Sequence, residues 1–389
     1  MRIALVTHAF PPQGISGIGR YVEDLAEGLA GMEHDVVVVA VSKSGDDRTE
    51  RRSGYVVSWI PDIPESETFP FLRLLRLSSR IHERLRAFHG DRPFDVVEAP
   101  NTWAGGLLPF RLGLPGKPLR VTRLSTPRAW FQRTTPWLPR LTEWLEYFQV
   151  ASSDLVISNT RENLELSRAL YPLEGRQTDI VYHGIPDPGP PPPPRTSTNE
   201  PSVLYVGRME HRKGFDVLVG AWPSVFEEFP QAKLHVVGED FPGPGGAPSY
   251  FEWSIRSLTA AQRERIHFHG ETDDMTRNWL FTESDIVVVP SRYESFGLVL
   301  LEAMIREKPV VASATGGMKE IVEHAETGLL VTPESSEELA AGIISLLSDA
   351  PLRLRMGAQA RSRVLERYTV DQMATASVEA YRQAIALGK

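Results

Sequence analysis

The sequence predicts an α/β protein built as two Rossmann-like domains facing a cleft, and three observations carry that expectation. Short apolar runs of strand length alternate with helical patterns from the first residues to about Val331, the pattern of parallel sheets covered by helices. The alternation breaks once, in PDPGPPPPPRTSTNEP, where Pro190 to Pro194 favour an extended, semi-rigid connector, and then restarts. A length of 389 residues suits two domains, each large enough for its own core. The expected division is a first domain over 1–186, a connector over 187–200 and a second domain over 201–370.

Composition excludes several classes. Apolar content is ordinary at 41%, and a formal charge of −8 argues against a nucleic-acid binder, which usually carries a basic domain. The chain has no Cys, which removes disulfides, thiolate catalysis and Cys-based zinc or iron–sulfur sites, and fits a reducing compartment. MRIALVTHAF has the length of a strand and lacks a cleavage-site pattern, and no run approaches eighteen apolar residues. The expectation is a soluble cytoplasmic protein, with peripheral membrane contact left open.

In the first half, Arg2 to His8 reads as a buried strand, and FPPQGISGIG leads into the helix YVEDLAEGLAGM. Gly14, Gly17 and Gly19 allow tight backbone approach, so N–H groups around Gly17 are able to touch a phosphate, although a plain βα turn reads the same way. DVVVVAVS and GYVVSWI are further strands, with GDDRTERRS between them as a solvated loop. FLRLLRLSSRIHERLRAF has helical spacing and crowds Arg73, Arg76, Arg80, Arg84 and Arg86. A crossover helix with a solvated face is favoured over one docked on anionic lipid. FDVVEAP and PLRVTRLS follow as strands, then TPRAWFQRTTPWLPRLTEWLEYF, whose Trp130, Phe131, Trp137, Trp144, Tyr147 and Phe148 exceed what a core helix needs; an acceptor surface, membrane contact and ordinary packing all stay open for them. LVISNT and DIVYHGI close this half.

The second half opens with the strand SVLYVGR. Arg208 ends it and Lys213 opens the next helix, so both cations stand at the carboxyl edge of the sheet, where open α/β folds bind ligands. KLHVVGE is a strand, FPGPGGAPSY a flexible loop, and RIHFHG is strand-like, its backbone near Phe268 to Gly270 a plausible edge for a base. His267 and His269 face one side of that strand, a spacing that serves metals, but no third ligand is apparent and ordinary strand positions are favoured. Asp273-Asp274 reads as a helix N-cap. DIVVV, bounded by Pro290, is a buried strand followed by a helix from near Leu298. Glu294 lies in the turn and Gly297 lets the backbone approach something closely. The N–H groups from Ser295 to Leu298, beside Phe296, form an anion seat. Glu294 and Glu302 stand at most roughly 12 Å apart, enough for a ribose, a diphosphate and a sugar between them. A carboxylate accepts from neighbouring hydroxyls, so Glu302 suits a ribose diol and Glu294 a sugar. From Glu334 onward helical patterns run to the end.

The form P-S-x-x-E-S-F-G-x-x-x-x-E-A-M, followed by P-V-V-A-S, by G-G-x-x-E-I-V with Glu320, and by T-G-L-L-V, resembles the donor-binding half of a glycosyltransferase of family 4. G-R-x-x-x-x-K-G-x-D around Arg208 and Lys213 resembles the same family. The resemblance implies the GT-B architecture, with a last helix, 371–389, crossing back onto the first domain. It implies transfer of a sugar, with retention, from a nucleotide-diphosphate sugar, UDP- or GDP-linked, to an acceptor hydroxyl on a carbohydrate, lipid-linked or small molecule. No metal and no further cofactor are implied. Arg208, Lys213 and Glu294 would carry the catalysis, Gly17, Ser125, Phe296, Gly297, Leu298 and Glu302 would bind the donor, and Trp130, Phe131 and Trp137 would shape the acceptor pocket. One departure stands out: many relatives read R-L-H-T-P where this chain has Arg123-Leu124-Ser125-Thr126-Pro127. Ser125 cannot take a proton at neutral pH as imidazole does, though its hydroxyl still binds a sugar oxygen. An epimerase or phosphorolytic enzyme of the same fold, or a non-catalytic nucleotide-sugar-binding homologue, are the alternatives.

Overall fold

The computed structural model describes the chain except for residues 14–15, 65–68, 91, 128–137, 192–199 and 389. The chain forms two compact units, Met1–Pro186 with Tyr368–Lys389, and Asp187–Arg367.

The first unit holds strands β1 (Arg2–Thr7), β2 (Asp35–Ser42), β3 (Thr49–Arg51), β4 (Val56–Pro61), β5 (Val96–Pro100), β6 (Leu119–Leu124), β7 (Leu155–Ser158) and β8 (Gln177–Ile180). Helices α1 (Gly17–Gly31), α2 (Pro70–His89), α3 (Leu107–Leu112), α4 (Leu138–Ala151) and α5 (Arg161–Arg168) alternate with them. The sheet order is β3-β4-β2-β1-β5-β6-β7-β8, parallel apart from β3. Its inner strands are continuous apolar runs, such as Val36 to Val41, because helices cover both faces. Three local expectations need correction. GDDRTERRS is not all loop: Thr49–Arg51 pairs antiparallel with β4, a short charged strand that caps the free edge of the sheet. DIVYHGI contributes only Asp179 and Ile180 to β8. Helix α1 begins at Gly17 rather than at Tyr21, because the Ser16 side chain accepts a hydrogen bond from the Gly19 N–H at 3.0 Å and caps it there.

The second unit holds β9 (Ser202–Val206), α6 (Phe215–Glu228), β10 (Lys233–Val237), α7 (Tyr250–Ile255), α8 (Ala260–Arg263), β11 (Ile266–Phe268), α9 (Asp274–Glu283) and β12 (Ile286–Val289). It continues through α10 (Leu298–Met304), β13 (Val310–Ser313), α11 (Met318–Ile321), β14 (Gly328–Val331), α12 (Ser336–Ser348) and α13 (Ala350–Arg367). All six strands are parallel, in the order β11-β10-β9-β12-β13-β14. Trp222 of α6, fully buried, packs with Val203, Leu234, Val288 and Leu339 in the core on one face of this sheet. Asp273 caps α9, accepting from the Thr276 N–H at 2.7 Å, as its sequence position predicts.

The last helix, α14 (Val370–Ala386), belongs to the first unit, where it packs on α1. Gly28 permits the approach, since a Cβ there would stand 2.8 Å from that of Ala374. Inside, the Arg123 and Glu98 side chains form a buried ion pair at 2.7 Å, and α14 completes it: Arg123 donates to Ser377 Oγ at 2.9 Å and Tyr381 donates to Glu98 at 2.6 Å.

Candidate active site

In the second unit the chain winds outward in one direction from β9 to β10 and β11 and in the other from β12 to β13 and β14. Loops leaving the carboxyl ends of β9 and β12 therefore diverge, and the crevice between them is where open α/β sheets bind ligands. Arg208, Arg212 and Lys213 lie on the first loop; Ser291, Arg292 and Glu294 lie on the second. Two glycines set their spacing. Gly214, at φ 69°, lies so close to the Pro290 carbonyl that a Cβ would overlap its oxygen. Gly316, at φ 55°, stands in the same relation to the Glu294 carbonyl. Arg292 closes the frame, with its N–H donating to the Arg212 carbonyl at 2.8 Å and its guanidinium gripping both oxygens of Asp216 at 2.9 and 2.8 Å.

The charged groups interlock. Lys213 Nζ donates to Glu294 Oε1, Ser291 Oγ donates to the same oxygen at 3.2 Å, and Arg212 stands 3.6 Å from Oε2. Glu210 accepts from both Arg208, at 2.9 Å, and Arg212, at 2.8 Å. Burial alone pushes the Glu294 pKa up, but the charges of Lys213 and Arg212 and the hydrogen bonds from Lys213 and Ser291 reverse this and hold it below the usual carboxylate range. Three cations against two carboxylates leave one positive charge, and Arg208, its side chain 39% exposed beside the Phe241 ring, is the most accessible of the three. Such a cluster suits a phosphate-like anion. Arg208, Lys213 and Glu294 are thus brought together as the spacing predicts. Arg212 was missed, and no sequence signal marks it; Ser291 stands in the form P-S-x-x-E but was given no role.

Glu302 sits on α10 and pairs with Arg277 of α9, a partner not legible in the sequence. Phe296 is buried, Leu298 is the first residue of α10 and half-buried, and Gly297 caps that helix at φ 108°. A Cβ added at Gly297 would meet the side chains of Leu300 and Met318, while Gly214 and Gly316 make the backbone-to-backbone contacts that join these loops. His235 of β10 proves to be the neighbour of His269, at 3.0 Å between ring nitrogens, and stacks on His267. Even so, among the described residues no three His, Asp or Glu side chains are arranged to hold a metal ion.

In the first unit Gly17 is the exposed first residue of α1. Ser125 follows β6, but its hydroxyl is engaged: it donates to Asn101 Oδ1 at 3.0 Å, its N–H donates to the same oxygen at 2.8 Å, and Thr102 Oγ1 lies in hydrogen-bond contact. Between β1 and β5, where this sheet's winding reverses, Trp103 stacks on His8 at 4.9 Å with its backbone at φ 70° and lines a shallow cavity. Neither residue was singled out from the sequence. Trp130, Phe131 and Trp137 lie outside the described residues.

Known proteins place this geometry. The model of the family "Glycosyl transferases group 1" matches residues 192–363, and that of the "Glycosyl transferase 4-like domain" matches residues 16–184. Glycogen synthase of Mycobacterium tuberculosis is 29% identical over 408 residues, covering 98% of this chain and 94% of that protein. Sucrose-phosphate synthase from Thermosynechococcus elongatus superposes with a TM-score of 0.81 at 24% identity, over 100% of both chains. Anabaena HepE, solved in complex with UDP-glucose, gives a TM-score of 0.75 at 20% identity, over 98% of this chain and 100% of that one. Two family models that between them match most of the sequence, and the motif residues gathered at one crevice, lead to one conclusion: the chain belongs to the family-4-type glycosyltransferases of the GT-B fold.

Proposed function

We propose that this glycosyltransferase moves a sugar from a UDP- or GDP-linked donor to an acceptor hydroxyl, with retention at the anomeric carbon and without a metal ion. The observation that carries the reading is the cluster of Arg208, Arg212 and Lys213 around Glu294 where the loops after β9 and β12 diverge. In the transfer the bond from the anomeric carbon to the diphosphate breaks and a bond to the acceptor oxygen forms, so negative charge builds on the departing phosphate. Arg208 and Lys213 stabilise that charge; a single preorganised donor at such a centre is worth about 100- to 1,000-fold in rate. Lys213 has three N–H donors, enough to hold Glu294 and a phosphate oxygen together. Glu294, ionised, accepts from sugar hydroxyls, and Glu302, oriented by Arg277, takes the ribose diol. The acceptor proton passes to the departing phosphate oxygen, because Ser125 is no base and its hydroxyl already serves Asn101. The UDP-glucose complex of HepE supports a uridine donor.

A donor screen that reads which nucleoside diphosphate is released, with and without EDTA, tests this. We expect turnover to persist in EDTA and to fall about 100-fold in Arg208→Ala with the circular dichroism unchanged. Loss of turnover in EDTA with rescue by Mg²⁺ overturns the metal-free step. Near-normal rates in both Arg208→Ala and Glu294→Ala overturn the assignment.

A further inference from the structure

Glu210 is a negative charge in a seat suited to an anion. It lies between Arg208 and Arg212 and accepts from both through one oxygen, Oε1, at 2.9 and 2.8 Å. A carboxylate oxygen held between two guanidinium groups takes the place of a phosphate oxygen, since arginine grips both anions with the same fork of N–H donors. Glu210 differs from Glu294. The Glu294 carboxylate is shared by Lys213, Ser291 and Arg212, and its side chain is 11% exposed. That of Glu210 is 21% exposed, precedes the short turn His211–Lys213 and meets an Arg208 side chain that is 39% exposed. An ion pair as open as this contributes little to stability. Both arginines also have a hold that does not depend on Glu210. The Arg208 carbonyl accepts from the Tyr205 hydroxyl at 3.1 Å, the next residue, Met209, bridges to Asp240, and the Arg208 guanidinium lies 5.5 Å over the Phe241 ring. Arg212 donates to the Tyr293 carbonyl at 3.0 Å.

We infer that Glu210 is an internal stand-in for the donor diphosphate: its carboxylate holds Arg208 and Arg212 when no donor is bound, yields them to the phosphates and competes for them again when the nucleoside diphosphate leaves. The inference rests on the reading that this cluster seats the donor diphosphate. Like charges at contact distance repel, so the Glu210 carboxylate and a phosphate oxygen do not share the two guanidinium groups. The affinity of such a seat is reduced by the fraction of the protein in which the arginines are released from Glu210. Donor and product are both held less tightly as a result, and differences of this kind fall mostly on the rate of dissociation. Without Glu210 the cluster would set three cations against Glu294 alone. A diphosphate so held leaves slowly, and product release limits turnover in many enzymes. Glu210 acts through Arg208 and Arg212 and is a positioning residue, one that sets how long they stay on the phosphates.

Calorimetric titration of the full chain with UDP and with GDP, at low and high salt, tests the assignment, with thermal unfolding by circular dichroism run on each variant. Glu210→Gln keeps the size of the side chain and removes its charge. We expect it to bind the nucleoside diphosphate at least about tenfold more tightly than the wild type, equivalent to about 1.4 kcal/mol, to release it more slowly in stopped flow, and to lose affinity more steeply as salt rises. Glu210→Asp, which keeps the charge, stays closer to the wild type. A merely structural role would move affinity the other way, because loosening Arg208 and Arg212 weakens the seat. Should Glu210→Gln fail to fold, Glu210→Ser carries the same expectation. Unchanged or weaker binding in the charge-removing variant, where Arg208→Ala does lower the affinity of the wild type, overturns this inference and leaves the proposed function standing. A wild-type chain that binds UDP and GDP no better than Arg208→Ala does overturns the proposed function, and this inference with it.

Discussion

Glu294 keeps its charge at 8% exposure because three neighbours converge on one carboxylate: Lys213, Ser291 and Arg212. Removing one partner of a buried pair leaves the other charge uncompensated, at a typical cost of about 3–5 kcal/mol. Arg212 remains near in Lys213→Met, so about 2 kcal/mol is the expected loss, read by urea denaturation. The double variant Lys213→Met/Glu294→Gln removes both charges and should recover at least about 1 kcal/mol of that loss, a coupling of the size that contacting residues show. Turnover should not recover with it, since both groups meet the donor. Purely additive stabilities would mean that the pair is not coupled. The native pKa of Glu294 lies below its ordinary value, so its contribution is complete above that value and disappears as the pH falls through the lower native one. The coupling should accordingly be absent from a cycle measured in acid.

At the scale of elements, the site depends on loops that touch backbone to backbone. Gly214 and Gly316 each combine a left-handed φ with a position where a Cβ would overlap a carbonyl oxygen, of Pro290 and of Glu294. Gly245 shares the left-handed φ, at 69°, but has open space around it. Replacement of Gly245 by Ala should cost only the left-handed penalty, about 1–2 kcal/mol. Gly214→Ala and Gly316→Ala should cost more, about 3 kcal/mol or above, and lower turnover beyond the loss of folded protein because they displace the Glu294 loop. Equal costs at all three positions, measured by denaturation, would refute the role of close approach. The strands were legible, because runs such as DVVVVAVS and DIVVV are buried on both faces and hardly admit another assignment. Arg208, Lys213 and Glu294 were legible as well, through spacing relative to those strands. Arg212 was not, because Tyr293 and Glu294 lie about eighty residues away, and the hydrogen bond from Ser291 to Glu294, three residues on, was not because a turn gives no period from which to read direction. On α4 the surplus of aromatics was legible, but the burial of its polar residues was not. Burying Gln149 makes sense only once the Pro100 carbonyl and the Gly106 N–H, distant in sequence, are seen beside it.

At the scale of the molecule, the end of the chain finishes a unit that its beginning starts. Arg123 and Glu98 lie on adjacent strands, β6 and β5, at 1% and 2% exposure, and the hydrogen bonds that Ser377 and Tyr381 add come from α14. Burial first, and then the charge of Glu98, push the Tyr381 phenol far above its ordinary pKa, so it stays protonated and donates. The first unit therefore needs its last helix for charge satisfaction as well as for apolar cover from Met373, Val378 and Tyr381. Tyr381→Phe removes a hydrogen bond to a charged group and should cost about 2 kcal/mol. Arg123→Met strands Glu98 and should cost about 3–5 kcal/mol. Hydrogen exchange read peptide by peptide distinguishes where the loss falls. If α14 is an integral part of the first unit, protection drops together in α1, β5, β6 and α14 while β9 to β14 keep theirs. A loss confined to α14 would mean that the helix is an appendage whose departure the sheet tolerates, and equal loss in both units would mean that they unfold as one body.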